Sequence, residues 1–167
     1  MSIYKEPNDY GNIYEFMDQY GDNIHQGRIE DGLMMKDVYD FILEVTALEF
    51  RHITIQLRRL YTYLLKYKYQ PIKQTKSWID IIRDTRLEID EALNNNFLKN
   101  KIDQNYQKTV FLNARKDAIA ETQLSKYLFP ESITKEYKLY LISDSEYIES
   151  YLRKYACSME AKKELDL

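Results

Sequence analysis

Cysteine and histidine are almost absent from this sequence, and their scarcity excludes several kinds of chemistry. Cys157 is the only cysteine, so no disulfide can form within the chain, and no CxxC pair supports redox work. His25 and His52 are the only histidines, which leaves few ways to build a relay of serine or cysteine with histidine. We therefore expect no cofactor and assign no catalytic residue.

Glycine and proline are also scarce after the first fifth of the chain. All four glycines lie within the first 32 residues, and beyond them only Pro71 and Pro130 interrupt the sequence. Apolar residues meanwhile recur three or four positions apart, which is typical of amphipathic helices. The sequence predicts an all-α fold, an elongated bundle of about five helices. Their expected ranges are 12–26, 35–69, 77–93, 101–128 and a C-terminal helix at about 143–165.

Long apolar runs are missing as well. No segment approaches the roughly 20 residues needed to span a bilayer, and "MSIYKEPNDYGN" lacks the basic start and apolar run of a signal peptide. A chain of 167 residues, 44% apolar and 31% charged, suits one globular domain over residues 1–167. We expect a cytoplasmic protein of bacterial type that does not enter membranes.

The second helix is the longest predicted element. If continuous it would be about 50 Å long, whereas a compact sphere of this chain length is about 40 Å across. Either this helix breaks or the molecule is elongated. An elongated bundle has helix ends that a second copy could cover, which favours self-association, for example as a homodimer. The apolar residues of the second helix that we expect to face inward are Val38, Phe41, Ile42, Val45, Leu48, Ile53, Leu57, Leu60, Leu64 and Tyr67.

Acidic residues are absent from positions 51–79, which carry seven Lys or Arg, whereas positions 1–50 carry three basic and 11 acidic residues. Such asymmetry indicates a basic recognition surface or two segments that dock on each other. We expect Lys66, Lys68, Lys73 and Lys76 to stay free around a corner of the fold. We expect acidic residues of the first 50 positions, such as Asp31, Asp37 and Asp40, to be their counterpart, within one chain or across a dimer. The candidate partner-binding residues are Arg58, Arg59, Lys66, Lys68, Lys73 and Lys76.

Pro71 predicts a corner inside this basic segment, because proline lacks an amide hydrogen and disfavours helical geometry at Gln70. Ser77 is the expected N-cap of the next helix, and Trp78 is expected to fold back onto Leu64 and Tyr67. The residues predicted to build the corner are Tyr69, Gln70, Pro71 and Trp78.

Two acidic patterns are weak candidates for metal chemistry. Glu49 and His52 have the i, i+3 spacing of metal-binding bundle helices, but di-iron bundles need this pair twice. Asp80, Asp84 and Glu88 line one helix face, yet no glycine-rich phosphate loop accompanies them. We expect a solvated face rather than a metal site.

Several motifs in this order resemble a known family: "LLKYKYQP", "SWIDIIRDTRLEI", "ARKDAIAETQL" and "LFP". Over residues 12–142 the chain resembles the bacterial family catalogued as domain of unknown function 29. The resemblance implies a small all-helical fold and no particular activity. Tyr63 departs from the family, whose members often have histidine there, and so does "ESITKEY" after the "FP".

Three functions are compatible with these patterns. The leading hypothesis is a helical interaction module, such as the regulatory or antitoxin-like half of a bacterial pair, that binds a protein partner or a second copy of itself. The alternative is a nucleic-acid-associated protein using the basic segment 51–79. A further alternative is a metal-dependent hydrolase using the face of Asp80, Asp84 and Glu88.

Overall fold

The fold is built from α-helices. The computed structural model describes residues 32–94 and 96–167, and the side chains of residues 40–94 and 98–167. No strand occurs in this part of the chain, which confirms the all-α prediction. The α-helices are α1 (Gly32–Tyr69), α2 (Lys76–Leu93), α3 (Asn96–Lys101), α4 (Gln104–Thr122), α5 (Leu139–Ile142), α6 (Ser145–Tyr155) and α7 (Met159–Glu164). Short 3-10 turns lie at Pro71–Lys73, Lys126–Leu128 and Lys135–Tyr137.

The chain divides into two compact units, Met1–His52 and Ile53–Leu167. The predicted helix at 12–26 and His25 lie outside the described residues, and the expectation of one elongated domain stays a prediction. In the first unit, Ile42 and Thr46 are each 1% exposed, and the Thr46 hydroxyl donates to the Ile42 carbonyl at 2.7 Å.

Two predicted core positions of the first unit are wrong. Phe41 and Leu48 are each 61% exposed, whereas Ile42 is buried. At about 100° of rotation per residue, these two positions lie roughly a third of a turn around the helix from Ile42. The predicted apolar stripe was therefore too wide at this end.

The core of the second unit gathers around the second half of α1. Leu57, Leu60, Leu64 and Tyr67 are fully buried there, as the spacing predicts. Tyr61 is buried too, and its ring meets that of Phe111 edge-on at 5.4 Å. Such aromatic pairs add to the apolar burial that stabilises a core. The remaining helices contribute Ile79, Ile82, Ile89, Val110, Ala114, Ala118, Ile148, Tyr151 and Leu152.

Helix boundaries differ from the prediction where local capping intervenes. The N-cap of α2 is Thr75 rather than Ser77, because the Thr75 side chain accepts from the Trp78 amide. Helix α4 ends well before residue 128, since Gln123 takes a left-handed φ of 55°. The predicted helix at 143–165 is two helices, because Ser158 caps a new one by accepting from the Ala161 amide.

In the residues that the structure describes, no helix has both the length and the apolar character that a membrane crossing requires.

Candidate functional site

The cations of the basic segment are largely neutralised inside the second unit. Arg58 donates Nε and Nη2 to the two carboxylate oxygens of Asp117 at 2.5 and 2.7 Å. Lys66 pairs with Glu121 at 2.7 Å. The parallel two-bond geometry at Arg58 is the strongest form that such a pair takes.

The next two lysines are paired in the same way. Lys68 lies 2.9 and 3.2 Å from the two carboxylate oxygens of Glu136. Lys76 lies 2.8 Å from Glu164 and 3.6 Å from Asp80. The expectation that Lys66, Lys68 and Lys76 stay free is therefore wrong, because acidic residues of the last third of the chain fold back onto them.

In the described residues, acidic residues other than the predicted ones pair with these cations. Asp31 and the side chain of Asp37 lie outside the described part of the structure, so their roles stay predictions. The long-range partners found for Arg58, Lys66, Lys68 and Lys76 all fall between positions 117 and 164.

Two of the six candidate partner-binding residues differ from the rest. Arg59 and Lys73 are exposed, and within residues 40–94 and 98–167 neither has an ion-pair partner. No carboxylate in these residues neutralises their charges.

An aromatic pair holds Lys66. Its ammonium lies 4.4 Å from the centre of the Tyr63 ring and 4.8 Å from that of Trp78, and the two rings meet edge-on at 6.3 Å. A cation held between ring faces gains electrostatic stabilisation. Trp78 thus packs on Tyr63, and it is only half-buried.

Gln74 ties the corner to the C-terminal segment, and its side chain is 2% exposed. The amide nitrogen donates to the carbonyls of Tyr67 and Tyr155, each at 2.7 Å. The amide oxygen accepts from the backbone of Cys157 at 2.7 Å and of Ser158 at 3.1 Å. All of its hydrogen-bonding capacity is used.

The predicted corner residues lie on both sides of this network. Helix α1 ends at Tyr69, and Pro71 opens the 3-10 turn. Gln70 is 9% exposed, and its backbone amide donates to the Lys66 carbonyl at 2.9 Å. The Tyr69 ring packs against Phe129 at 5.3 Å. Sequence reasoning missed Gln74, because nothing local marks a glutamine that has three of its four partners 81 to 84 residues away.

A cavity of about 340 Å³ lies beside helix α6 in the second unit. Tyr147, Tyr151 and Tyr155 line it from successive turns of that helix. The i, i+4, i+8 spacing of these tyrosines is visible in the sequence. There it indicates a helix face packed in the bundle core rather than the wall of a cavity. The Tyr151 hydroxyl donates to the Leu64 carbonyl at 2.9 Å, and burial raises the pKa of Tyr151 well above its ordinary value.

The acidic patterns do not form a metal site in the described residues, where no group of three or more His, Cys, Asp or Glu is placed to hold an ion. Asp80 contacts Lys76, while Asp84 and Glu88 are exposed. Burial raises the pKa of Glu49, and the nearby charge of His52 opposes that rise.

Comparison with known proteins adds a family but no activity. No curated protein and no solved structure matches the chain. The model of one family matches residues 12–148, which is most of the sequence, and its description is "Domain of unknown function DUF29". The chain belongs to this family of domains of unknown function.

Proposed function

We propose that this chain is a protein-interaction module that docks a partner protein at the corner between α1 and α2. The observation that carries the proposal is the exposure of two large apolar side chains, Ile72 at 82% and Met159 at 89%. Ile72 lies two residues before Gln74, and Met159 follows Ser158, which is hydrogen-bonded to Gln74. Both side chains therefore project from segments fixed by one buried network.

A fixed backbone favours binding because little conformational freedom remains to be lost when a partner docks. Exposed apolar side chains on such a frame are suitable anchors, since their burial contributes roughly 25 cal/mol per Å² removed from water. Lys73 directly follows Ile72 in the sequence, and it is exposed without an ion-pair partner in the described residues. The chemistry suits a partner with apolar residues flanked by a carboxylate.

A different protein fits this surface better than a second copy of the chain. In a two-fold dimer the same patch faces itself, so an interface whose axis passes close to Lys73 would bring the two Lys73 ammonium groups together. Like charges facing each other disfavour association. The specific role that we propose is regulatory or antitoxin-like. A stable complex with a separate protein would support it.

A site-specific crosslink tests the proposal. A photoreactive phenylalanine analogue replaces Ile72, or replaces Leu112, an exposed residue of α4, as the matched control. Both proteins are irradiated in an extract of the native cells, and crosslinked products are identified by mass spectrometry. We expect a product that is specific to position 72.

The identified protein is then purified and titrated calorimetrically against the intact chain and its variants. We expect Ile72→Asp and Met159→Asp each to weaken binding about tenfold or more, the equivalent of about 1.4 kcal/mol, and Leu112→Asp to have no effect. Equal affinity of all three variants, or equal crosslinking at positions 72 and 112, would refute docking at the corner. A product that is only a second copy of this chain would replace the proposal with self-association.

A further inference from the structure

The cavity beside α6 has the dimensions of a small-molecule site. Its volume is about 340 Å³, within the range of about 300 to 1,000 Å³ that ligand pockets occupy. Three tyrosines of α6 and Leu141 of α5 supply much of its wall. Aromatic and aliphatic walls suit a flat apolar ligand body, which stacks or packs edge-on against the rings.

Hydrogen bonds hold this wall in place. The Tyr147 hydroxyl donates to the backbone carbonyl of Glu136 at 2.8 Å, and the Tyr151 hydroxyl donates to that of Leu64. The Tyr155 ring lies 4.7 Å from the Tyr151 ring and carries the Lys68 ammonium at 4.6 Å. A ligand would therefore find rings that are already positioned.

Charge decides which ligand is preferred. Lys135, Lys154 and Glu136 all line the cavity, but the Glu136 carboxylate is already paired with Lys68 at 2.9 Å. Lys135 and Lys154 are exposed, and neither has a carboxylate partner in the part of the chain that the structure describes. Two lysines without counterions beside one neutralised carboxylate favour an anion and repel a cation.

From this arrangement we propose that the cavity binds a small aromatic carboxylate, with its ring body against the tyrosines of α6 and its carboxylate near Lys135 and Lys154. The site is separate from the corner proposed for protein docking and does not depend on it.

Calorimetric titration and ligand-observed NMR on the full chain test this site with three probes that share one ring system: 2-naphthoate, neutral 2-naphthylmethanol and cationic 2-naphthylmethylamine. We expect 2-naphthoate to bind most tightly and the amine most weakly. Lys135→Gln with Lys154→Gln should weaken 2-naphthoate about fivefold and leave the alcohol unchanged. The matched control is Lys162→Gln with Lys163→Gln, two exposed lysines of α7 that do not line the cavity.

A second variant tests the cavity itself. Ser150 is an exposed lining residue, so Ser150→Trp should fill the cavity and abolish binding of both the carboxylate and the alcohol while circular dichroism shows an intact fold. The inference fails if 2-naphthoate does not bind at millimolar concentration. It also fails if the amine binds as tightly as the carboxylate, if the control pair weakens binding as much as the test pair, or if folded Ser150→Trp still binds.

Discussion

Replacing Gln74 should destabilise the fold far more than its position in a short connection suggests. The side chain is 2% exposed and joins the end of α1 to the segment between α6 and α7 through four hydrogen bonds. Gln74→Ala removes all four at once. It leaves the carbonyls of Tyr67 and Tyr155 and the amides of Cys157 and Ser158 without these partners.

The expected magnitude follows from these four bonds. A typical intramolecular hydrogen bond contributes about 1 kcal/mol net, and a buried group left without a partner costs about 1 to 3 kcal/mol. Cys157 is exposed and Ser158 half-buried, so water can replace part of the loss at their amides. We expect Gln74→Ala to lower the free energy of unfolding by about 4 kcal/mol, with most of the loss at the two carbonyls.

Urea denaturation followed by circular dichroism measures this change. The matched control is Gln104→Ala, at an exposed glutamine of α4, which should stay within about 0.5 kcal/mol of the unaltered chain. Gln74→Glu provides a finer test, because a carboxylate retains the acceptor for the Cys157 and Ser158 amides but repels the Tyr67 and Tyr155 carbonyls. A loss below about 1 kcal/mol for Gln74→Ala would refute the reasoning.

Three further predictions concern aromatic burial and ionisation. Trp78→Ala should lower the free energy of unfolding, measured by urea denaturation, by about 2 kcal/mol. This is less than the roughly 3 to 5 kcal/mol lost with a fully buried tryptophan, because the Trp78 ring is only half-buried. A loss in that higher range would contradict the prediction. Burial raises the pKa of Tyr67 to about 12 and that of Tyr61 still further. The unfolded chain therefore ionises first as pH rises above 10, and Tyr67 alone should remove about 2 kcal/mol of stability by pH 12. Unchanged stability between pH 9 and 11 would contradict this prediction. The Arg83 guanidinium holds the pKa of Glu149 below its usual value in the folded chain. The stability that this pair contributes is therefore fully present above the pKa that Glu149 has in the unfolded chain. It is lost as pH falls through the lower pKa that Glu149 has in the folded chain. Glu149→Gln should flatten the loss of stability between pH 5 and 3, and an unaltered acid profile would refute the linkage.

Periodicity in the sequence was sufficient for the helices and for much of the second unit's core. Leu57, Leu60 and Leu64 recur at three- and four-residue intervals, and such a stripe can be buried only on one face of a helix. Pro71 likewise marks the corner from backbone chemistry alone. These features depend on residues close together in the chain, which is why sequence patterns predict them.

Side-chain partners across the fold were not predictable in this way. Lys68 pairs with Glu136, and Gln74 accepts from Cys157 and Ser158, at separations of 68 to 84 residues. Nothing in the charge pattern selects Glu136 over the many acidic residues of the first 50 positions. The capping residues Thr75 and Ser158 were local signals, yet Ser77 offered an equally good chemical match. The choice depends on which backbone amides the fold leaves without partners.

We expect the ion pairs of the basic segment to limit its capacity to bind polyanions. Seven cations lie between positions 51 and 79, but Arg58, Lys66, Lys68 and Lys76 already neutralise carboxylates in the same unit. A phosphate backbone gains affinity by replacing condensed counterions with protein cations, and here it would have to displace covalently tethered carboxylates first. Lys66 is the clearest case, because its side chain is only 10% exposed and its ammonium also contacts two aromatic rings. The basic run therefore fastens α1 to α4 and to the 3-10 turn at Lys135–Tyr137, and it fastens α2 to α7. Of the six candidate binding residues, Arg59 and Lys73 have no ion-pair partner in the described part of the chain. That distribution favours a small docking surface over an extended nucleic-acid groove.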